Sequence, residues 1–218
     1  MRITACSELT IDGRMTLGRG ASSKQLFDFY GPELRSWFHS ERAAHDAIMV
    51  GAGTVRSDNP ELTVRHAAGN NPIRVIPTND GNLPDDCHLL NDGITTLLGV
   101  PNQNYERITA LMAARPHIKL VRCGETSVDI AQLIKSLDIL GIASLLVEGG
   151  SHLLHSLYAA NLIDRIIIKH IPVISGAVDA PAYLANESHL PLSRWQVTDW
   201  CLIGGTGVGI YERPKGAN

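Results

Sequence analysis

Short apolar runs alternate with amphipathic segments along most of this chain. Runs rich in Ile, Val and Leu, of the length that buried strands have, occupy residues 3–11, 47–50, 72–76, 95–100, 119–121, 143–147 and 161–174. Gly, Pro, Asn or Asp residues, which are typical of turns, bound most of them. The pattern therefore predicts a series of strands separated by other elements.

Helical spacing of apolar residues fills several of the intervals. Pro32 opens a predicted helix with apolar positions at Leu34, Trp37 and Phe38, since proline is favoured in a first turn. Residues 105–112 and 152–160 predict two more helices. The clearest pattern covers residues 128–140, with Gly141 as its C-terminal cap. Its apolar side consists of Val128, Ile130, Leu133, Ile134, Leu137 and Leu140.

The C-terminal part differs, because residues 195–202 and 207–211 predict an antiparallel hairpin around Gly204-Gly205. The preceding alternation of strands and helices is typical of a mainly parallel sheet with helices on both faces. The sequence thus predicts an α/β fold, a three-layer sandwich that closes with this hairpin. We expect residues 1–218 to form one domain.

Composition excludes several classes of function. Apolar residues make up 44% and charged residues 19% of the 218 positions, with a net charge of −3, so nothing favours nucleic acid or an anionic membrane as a partner. No apolar run approaches the roughly 20 residues of a membrane span. The four cysteines form no Cys-x-x-Cys pair, which indicates reduced thiols in a cytoplasmic protein without a metal site.

Two glycine-containing elements each follow a predicted strand and precede a predicted helix. The strand at 47–50 leads into Gly51, Gly53 and Thr54, a residue type that favours helix N-caps. A later strand leads into the Glu-Gly-Gly-Ser string at 148–151. Backbone N–H groups at such helix starts bind anions. Because ligands collect at the carboxyl ends of parallel strands, we expect both elements at the same edge of the sheet.

The full string at 46–65, DAIMVGAGTVRSDNPELTVR, closely resembles a signature of the riboflavin-pathway reductases. TIDGR at 10–14, HSERAAHD at 39–46 and LVEGG at 146–150 agree with the same family. That family includes the reductase half of the bacterial deaminase–reductases and stand-alone archaeal enzymes, which reduce the ribose of a phosphoribosylamino-pyrimidine to a ribityl chain. The resemblance implies a dihydrofolate-reductase-like fold and this activity.

The resemblance also implies ligands and site residues. It implies NADPH as the cofactor, with NADH as an alternative, a phosphorylated small-molecule substrate and a homodimer, for which Ile166-Ile167-Ile168 and the terminal hairpin offer apolar surface. It assigns no catalytic residue. Substrate binding falls to Arg42, Leu62, Arg65 and Glu148, with the two arginines as candidates for the phosphate. Cofactor binding falls to Gly51, Gly53, Thr54, Asp58, Asn79, Gly149, Gly150, Ser151 and His152.

Glu8 departs from the family, whose members usually carry a small or apolar residue near this point. A carboxylate within a strand is costly to bury without a partner. Glu8 therefore either faces solvent or faces the ligand, and we count it among the substrate-binding candidates.

Two alternative functions stay open. Glu8 and the altered loop at 21–30 would suit a dihydropterin or dihydrofolate-type reductase on the same fold, since a carboxylate can bind a pterin amidine edge. The other alternative is a non-catalytic nucleotide-binding homologue, and the intact strings at 62–65 and 148–150 count against it.

The turn at 78–82 bears on the choice between NADPH and NADH. Relatives commonly have a serine and a basic residue here, whereas this chain has Asn79 and Asn82, with Asp80 between them. A carboxylate repels the 2′-phosphate of NADPH, although Arg56 could compensate. We expect a preference for NADPH below about tenfold, or roughly 1.4 kcal/mol.

Overall fold

The computed structural model describes residues 1–184 and 189–214 of the predicted domain, and residues 185–188 and 215–218 lie outside these ranges. In this part of the chain nine strands form one sheet. The strands are β1 (Arg2–Thr10), β2 (Ala47–Met49), β3 (Ile73–Pro77), β4 (Thr96–Val100), β5 (Ile118–Arg122), β6 (Ser144–Val147), β7 (Arg165–Ile171), β8 (Gln196–Ile203) and β9 (Thr206–Glu212).

Six α-helices accompany the strands in the described ranges. They are α1 (Pro32–Ala43), α2 (Ala52–Asp58), α3 (His88–Asn91), α4 (Tyr105–Met112), α5 (Ile130–Ile139) and α6 (Ser151–Ala159), with short 3₁₀ segments at Ser23–Phe29 and Asn102–Asn104. No helix in these ranges is both long enough and apolar enough to cross a membrane.

The sheet has the order β5-β4-β3-β2-β6-β1-β7-β9-β8. β1 to β7 pair in parallel, whereas β9 is antiparallel to both β7 and β8. This arrangement confirms the predicted parallel sheet and its C-terminal hairpin, because the turn at Gly204-Gly205 reverses the chain where both residues have positive φ.

Alternation along the strands divides the core between the two faces of the sheet. In β2, Ile48 packs on one face with Phe38 of α1 and Ile108 of α4. Met49, its neighbour in the strand, packs on the other face with Leu137 of α5 and further residues of α6. Successive side chains of a strand point to opposite faces, so helices cover both sides and the three-layer prediction is confirmed.

Some predicted boundaries are wrong. The strand predicted at 161–174 is shorter, because Asn161 and Leu162 form the turn that ends α6. Asn161 has a φ of 57°, and the N–H of Leu162 donates to the Leu157 carbonyl. The helix predicted at 128–140 begins only after Asp129, whose carboxylate caps the N–H of Gln132. Thr54 is not an N-cap: Gly51 takes that position in α2, and Thr54 lies inside the first turn.

The isoleucines of β7 do not form a surface. Ile166, Ile167 and Ile168 are 7%, 0% and 7% exposed, because Ile167 packs in the core on one face of the sheet and the other two pack in the core on the opposite face. The expectation that they offer a dimer surface is therefore wrong. Exposed apolar side chains lie instead on β8, the edge strand, where Trp200 and Leu202 face solvent.

Candidate active site

The two glycine elements meet at one edge of the sheet, as predicted. β2 and β6 are parallel neighbours, and the N–H of Gly51 donates to the carbonyl of Gly149 at 3.5 Å. The carboxyl ends of both strands therefore feed one site, followed by α2 and α6.

Glycine is required at one side of this junction. Gly149 and Gly150 have φ values of 108° and 96°, a region that L-residues with a side chain rarely adopt. A Cβ on Gly150 would also lie 3.3 Å from Thr54 Oγ1. Gly53 differs, since a Cβ there would meet no atom within 4 Å. The junction is therefore closed around Gly150 and open beside Gly53.

A cleft of 510 Å³ runs over this junction, and we call it the larger cleft. Most of the residues predicted to bind cofactor line it: Gly51, Gly53, Thr54, Asn79, Gly150 and His152. The structure places three predicted residues elsewhere. Asp58 and Ser151 line a neighbouring cleft, and Gly149 lies behind the junction, where its carbonyl ties the two elements together.

The turn after β3 forms one end of the larger cleft. Asn79 Oδ1 accepts a hydrogen bond from the N–H of Val128 at 2.8 Å, and this bond joins the turn to the segment that precedes α5. Asp80 accepts from the N–H of Asn82 at 3.0 Å, and this bond holds the pKa of its carboxyl below the ordinary value. Arg56 also lines the cleft and donates to the Asn82 carbonyl at 3.0 Å. An anion and a cation therefore flank this end.

The neighbouring cleft has a volume of 220 Å³, and we call it the smaller cleft. Gly53, Thr54, Gly150 and His152 line both clefts, so the two clefts are neighbours at this junction. The side chains around the smaller cleft are largely polar or acidic, among them Ser7, Glu8, Ser57, Asp58, Glu148 and Ser151.

Glu148 is held rigidly by Arg42. The Nε and Nη2 atoms of Arg42 donate to the two carboxylate oxygens of Glu148, each at 2.6 Å, and its Nη1 donates to the Thr63 carbonyl at 3.0 Å. Burial alone would lower the pKa of Arg42, but the charge of Glu148 outweighs it and raises the pKa. The three guanidinium nitrogens of Arg42 therefore all have acceptors within the chain.

Glu8 has a partner that the sequence did not reveal. Lys169 on β7 lies opposite it in the sheet register, and its Nζ is 2.8 Å from Glu8 Oε2 without hydrogen-bond geometry. Tyr30 donates its hydroxyl to the same oxygen at 3.3 Å. Lys169 is fully buried, with Nζ 3.4 Å from the ring centre of Phe38. The altered loop therefore covers a buried ion pair, and Glu8 faces the smaller cleft.

The two remaining predicted substrate residues, Leu62 and Arg65, line neither cleft. Arg65 is half-exposed and donates to Glu61 at 2.6 Å. Leu62 is buried at a φ of 54° and lines a recess of 40 Å³ together with Lys24, a cation that the sequence did not single out. Leucine at positive φ is uncommon, and such backbone strain clusters at ligand sites.

No group of three or more His, Cys, Asp or Glu side chains in residues 1–184 and 189–214 is arranged to hold a metal ion. Cys6 precedes Ser7, one of the residues of the smaller cleft. Its side chain is fully buried, and burial raises the pKa of its thiol to about 12. Its thiol therefore stays protonated at neutral pH.

Comparison with known proteins places this geometry in a family. The chain is 36% identical over 216 residues to the 2,5-diamino-6-ribosylamino-4(3H)-pyrimidinone 5′-phosphate reductase of Aquifex aeolicus, covering 90% of this chain and 94% of that protein. It is 34% identical over 183 residues to the enzyme of that name from Methanothermobacter thermautotrophicus, covering 82% and 81%.

Solved structures agree with the fold. The bifunctional diaminohydroxyphosphoribosylaminopyrimidine deaminase/5-amino-6-(5-phosphoribosylamino)uracil reductase of Thermotoga maritima superposes with a TM-score of 0.75 at 22% identity, over 97% of this chain and 56% of that one. Enterococcus faecalis dihydrofolate reductase superposes at 0.51 with 10% identity, over 98% and 97%, which confirms the dihydrofolate-reductase-like fold. The family model described as RibD C-terminal domain matches residues 2–206, so the chain belongs to the RibD C-terminal domain family.

Proposed function

We propose that this chain is a reductase of riboflavin biosynthesis that converts the ribose of a phosphorylated ribosylamino-pyrimidine to a ribityl chain, with NADPH as hydride donor. The observation that carries the proposal is the shared wall of the two clefts at Gly53, Thr54, Gly150 and His152. Hydride transfer requires two ligands in direct contact, and two clefts that share these lining residues support that arrangement. Relatives at 34% and 36% identity are named for the same reduction.

The larger cleft has the features that a nicotinamide dinucleotide needs. The start of α6 directs backbone N–H groups and the positive end of a nine-residue helix toward the junction, where they favour a pyrophosphate. The open space beside Gly53 lets a ligand approach the backbone of α2 closely. A bound nicotinamide supplies the hydride. The residues of this chain bind and orient it, and Asn79 holds the far turn in place.

The same cleft supports a weak choice between NADPH and NADH. Arg56 is the cation available for a 2′-phosphate, whereas Asp80 in the adjoining turn repels it. We therefore keep the expected preference for NADPH below about tenfold. Comparison of kcat/KM for the two nucleotides measures it, and a preference of several hundredfold would contradict this assignment.

The smaller cleft is where the pyrimidine and its ribose would bind. Glu148, fixed by Arg42, presents its carboxylate at the carboxyl end of β6 and can accept hydrogen bonds from sugar hydroxyls. The reduction breaks the bond from C1′ to the ring oxygen and forms a C1′–H bond, and the ring oxygen takes up a proton. Lys24 in the adjoining recess and Arg65 beyond it are the candidates for the substrate phosphate.

Oxidation of NADPH in the presence of candidate substrates tests the proposal. We expect turnover with the ribosylamino-pyrimidine phosphate and none with dihydropterin or dihydrofolate. Faster turnover of a pterin would instead support the pterin reductase. Tight NADPH binding without turnover of any of these compounds would support the non-catalytic homologue.

We also propose that the chain forms a homodimer through β8. Trp200 and Leu202 on this edge strand are 55% and 76% exposed, and exposed apolar side chains on an unpaired edge favour association. Sedimentation at micromolar concentration is expected to give twice the mass of the chain, 23.6 kDa. A monomer at that concentration would refute the dimer.

A further inference from the structure

Two of the side chains that line the smaller cleft carry polar atoms that lack protein partners. Ser7 Oγ and Asp58 Oδ1 are buried without a hydrogen-bond partner among the described residues. Ser7 and Asp58 are only 2% and 8% exposed, and both line the cleft. Burying a polar atom without a hydrogen bond costs free energy, but both atoms are enclosed by protein and do not open into the cleft.

Glu8 lines the same cleft with a carboxylate oxygen that has no protein partner among the described residues. Tyr30 and Lys169 both contact its Oε2 atom, whereas Oε1 accepts no hydrogen bond from the described part of the chain. A carboxylate oxygen has two lone pairs and, when ionised, accepts only. Glu8 therefore presents an acceptor to the cleft, and the ligand group that complements it is a hydrogen-bond donor.

Lys169 positions the carboxylate of Glu8. Burial alone would lower the pKa of Lys169, but the charge of Glu8 outweighs burial and the pKa lies above its ordinary value. The ammonium group has Phe38 on one side and Glu8 on the other, and it does not line the cleft. Lys169 is thus a positioning residue that acts through Glu8.

We infer that Glu8, positioned by Lys169, selects the 2-amino form of the pyrimidine over its 2-oxo form. The inference rests on the proposed function and deepens it. The 2-amino group of a 2,5-diaminopyrimidinone donates to a carboxylate, whereas the 2-oxo group of a uracil places an acceptor against it. Unpaired acceptors facing each other are unfavourable, so Glu8 favours one substrate and disfavours the other. Relatives are named for both forms.

The test compares kcat/KM for 2,5-diamino-6-ribosylamino-4(3H)-pyrimidinone 5′-phosphate and for 5-amino-6-(5-phosphoribosylamino)uracil. The key variant is the double substitution Glu8→Gln with Lys169→Met, because Glu8→Gln alone would leave a buried charge unpaired. A glutamine amide can accept from an amino group or donate to an oxo group. Tyr30→Phe is the matched control, since it removes a contact to Oε2 and keeps both charges.

We expect the wild-type chain to prefer the 2-amino substrate by about tenfold or more. The preference should fall within about threefold in the double variant and persist in Tyr30→Phe. The ratio of two substrates on one protein preparation does not change when only the folded fraction changes. If the double variant does not unfold cooperatively, Glu8→Asp, which withdraws the carboxylate from the cleft, replaces it with the same expected loss.

Two results would overturn the inference: a wild-type preference for the 2-oxo substrate, or a folded variant that keeps the wild-type ratio. Failure of the proposed function gives a different result, because the wild-type chain would then turn over neither pyrimidine with NADPH or NADH.

Discussion

Removing Arg42 should destabilise the chain strongly, because it would leave Glu148 buried and unpaired. The side chains of the pair are only 6% and 7% exposed, and two hydrogen bonds of 2.6 Å join them. Breaking a buried pair by removing one partner costs about 3–5 kcal/mol. In Arg42→Met the carbonyl of Thr63 also loses its donor. For a chain of this size, that loss lowers the melting temperature by roughly 6–20 °C.

Urea denaturation followed by circular dichroism measures this effect. Arg65→Met is the matched control, because it breaks an ion pair whose side chains are 43% and 44% exposed, and such pairs contribute about 0–1 kcal/mol. The double variant Arg42→Met with Glu148→Gln should regain part of the loss, since the uncompensated charge is gone. An unfolding free energy of Arg42→Met within about 1 kcal/mol of the wild-type value would refute the buried pair.

Three further predictions follow from the site. Gly150→Ala should destabilise the fold by about 1–3 kcal/mol and also weaken nucleotide binding. Gly53→Ala should change the stability by no more than about 1 kcal/mol and weaken only nucleotide binding. Calorimetry measures the stability, and nucleotide titration measures the binding. Burial and the nearby arginines lower the pKa of His39 from 6.5 to about 3. Between these two pH values the unfolded chain binds a proton at His39 and the folded chain does not. The free energy of unfolding is therefore highest above pH 6.5 and falls toward pH 3, by at most about 1.4 kcal/mol per pH unit. Urea unfolding at several pH values should show a weaker pH dependence for His39→Gln than for the wild type. Arg65→Ala and Lys24→Ala should each raise the KM for the phosphorylated substrate and leave the KM for the nucleotide nearly unchanged. The increase should be about tenfold for the residue that binds the phosphate directly. Unchanged KM values for the substrate in both variants would show that the phosphate binds elsewhere.

The sequence predicted the sheet and the position of the glycine elements because both depend on local patterns. Apolar runs and glycine turns repeat at short range, and the parallel order then brings the ends of β2 and β6 together. The strand that became β7 was predicted too long, because the turn that ends α6 contains the apolar residues Leu162 and Ile163, and periodicity alone could not separate them from the strand.

The side-chain partners could not be predicted in the same way. Arg42 and Glu148 are 106 positions apart, and only the folded sheet reveals that they bind each other. Two features of the sequence could have suggested the pair beneath the altered loop: Glu8 lies within a predicted strand, and Lys169 follows three isoleucines. Each charge is costly to bury by itself, but the register that joins them is a property of the fold.

Transfer of a deuterium label tests most directly whether the two adjoining clefts carry out the reduction. NADPH deuterated at C4 of the nicotinamide, on either face, would be incubated with the ribosylamino-pyrimidine phosphate in ordinary water, and the product analysed by mass spectrometry and NMR. We predict that one of the two labelled forms delivers a single deuterium to C1′ of the ribityl chain. Formation of unlabelled product from both forms, or no product at all, would contradict direct hydride transfer between ligands in the two clefts that meet at Gly53 and Gly150.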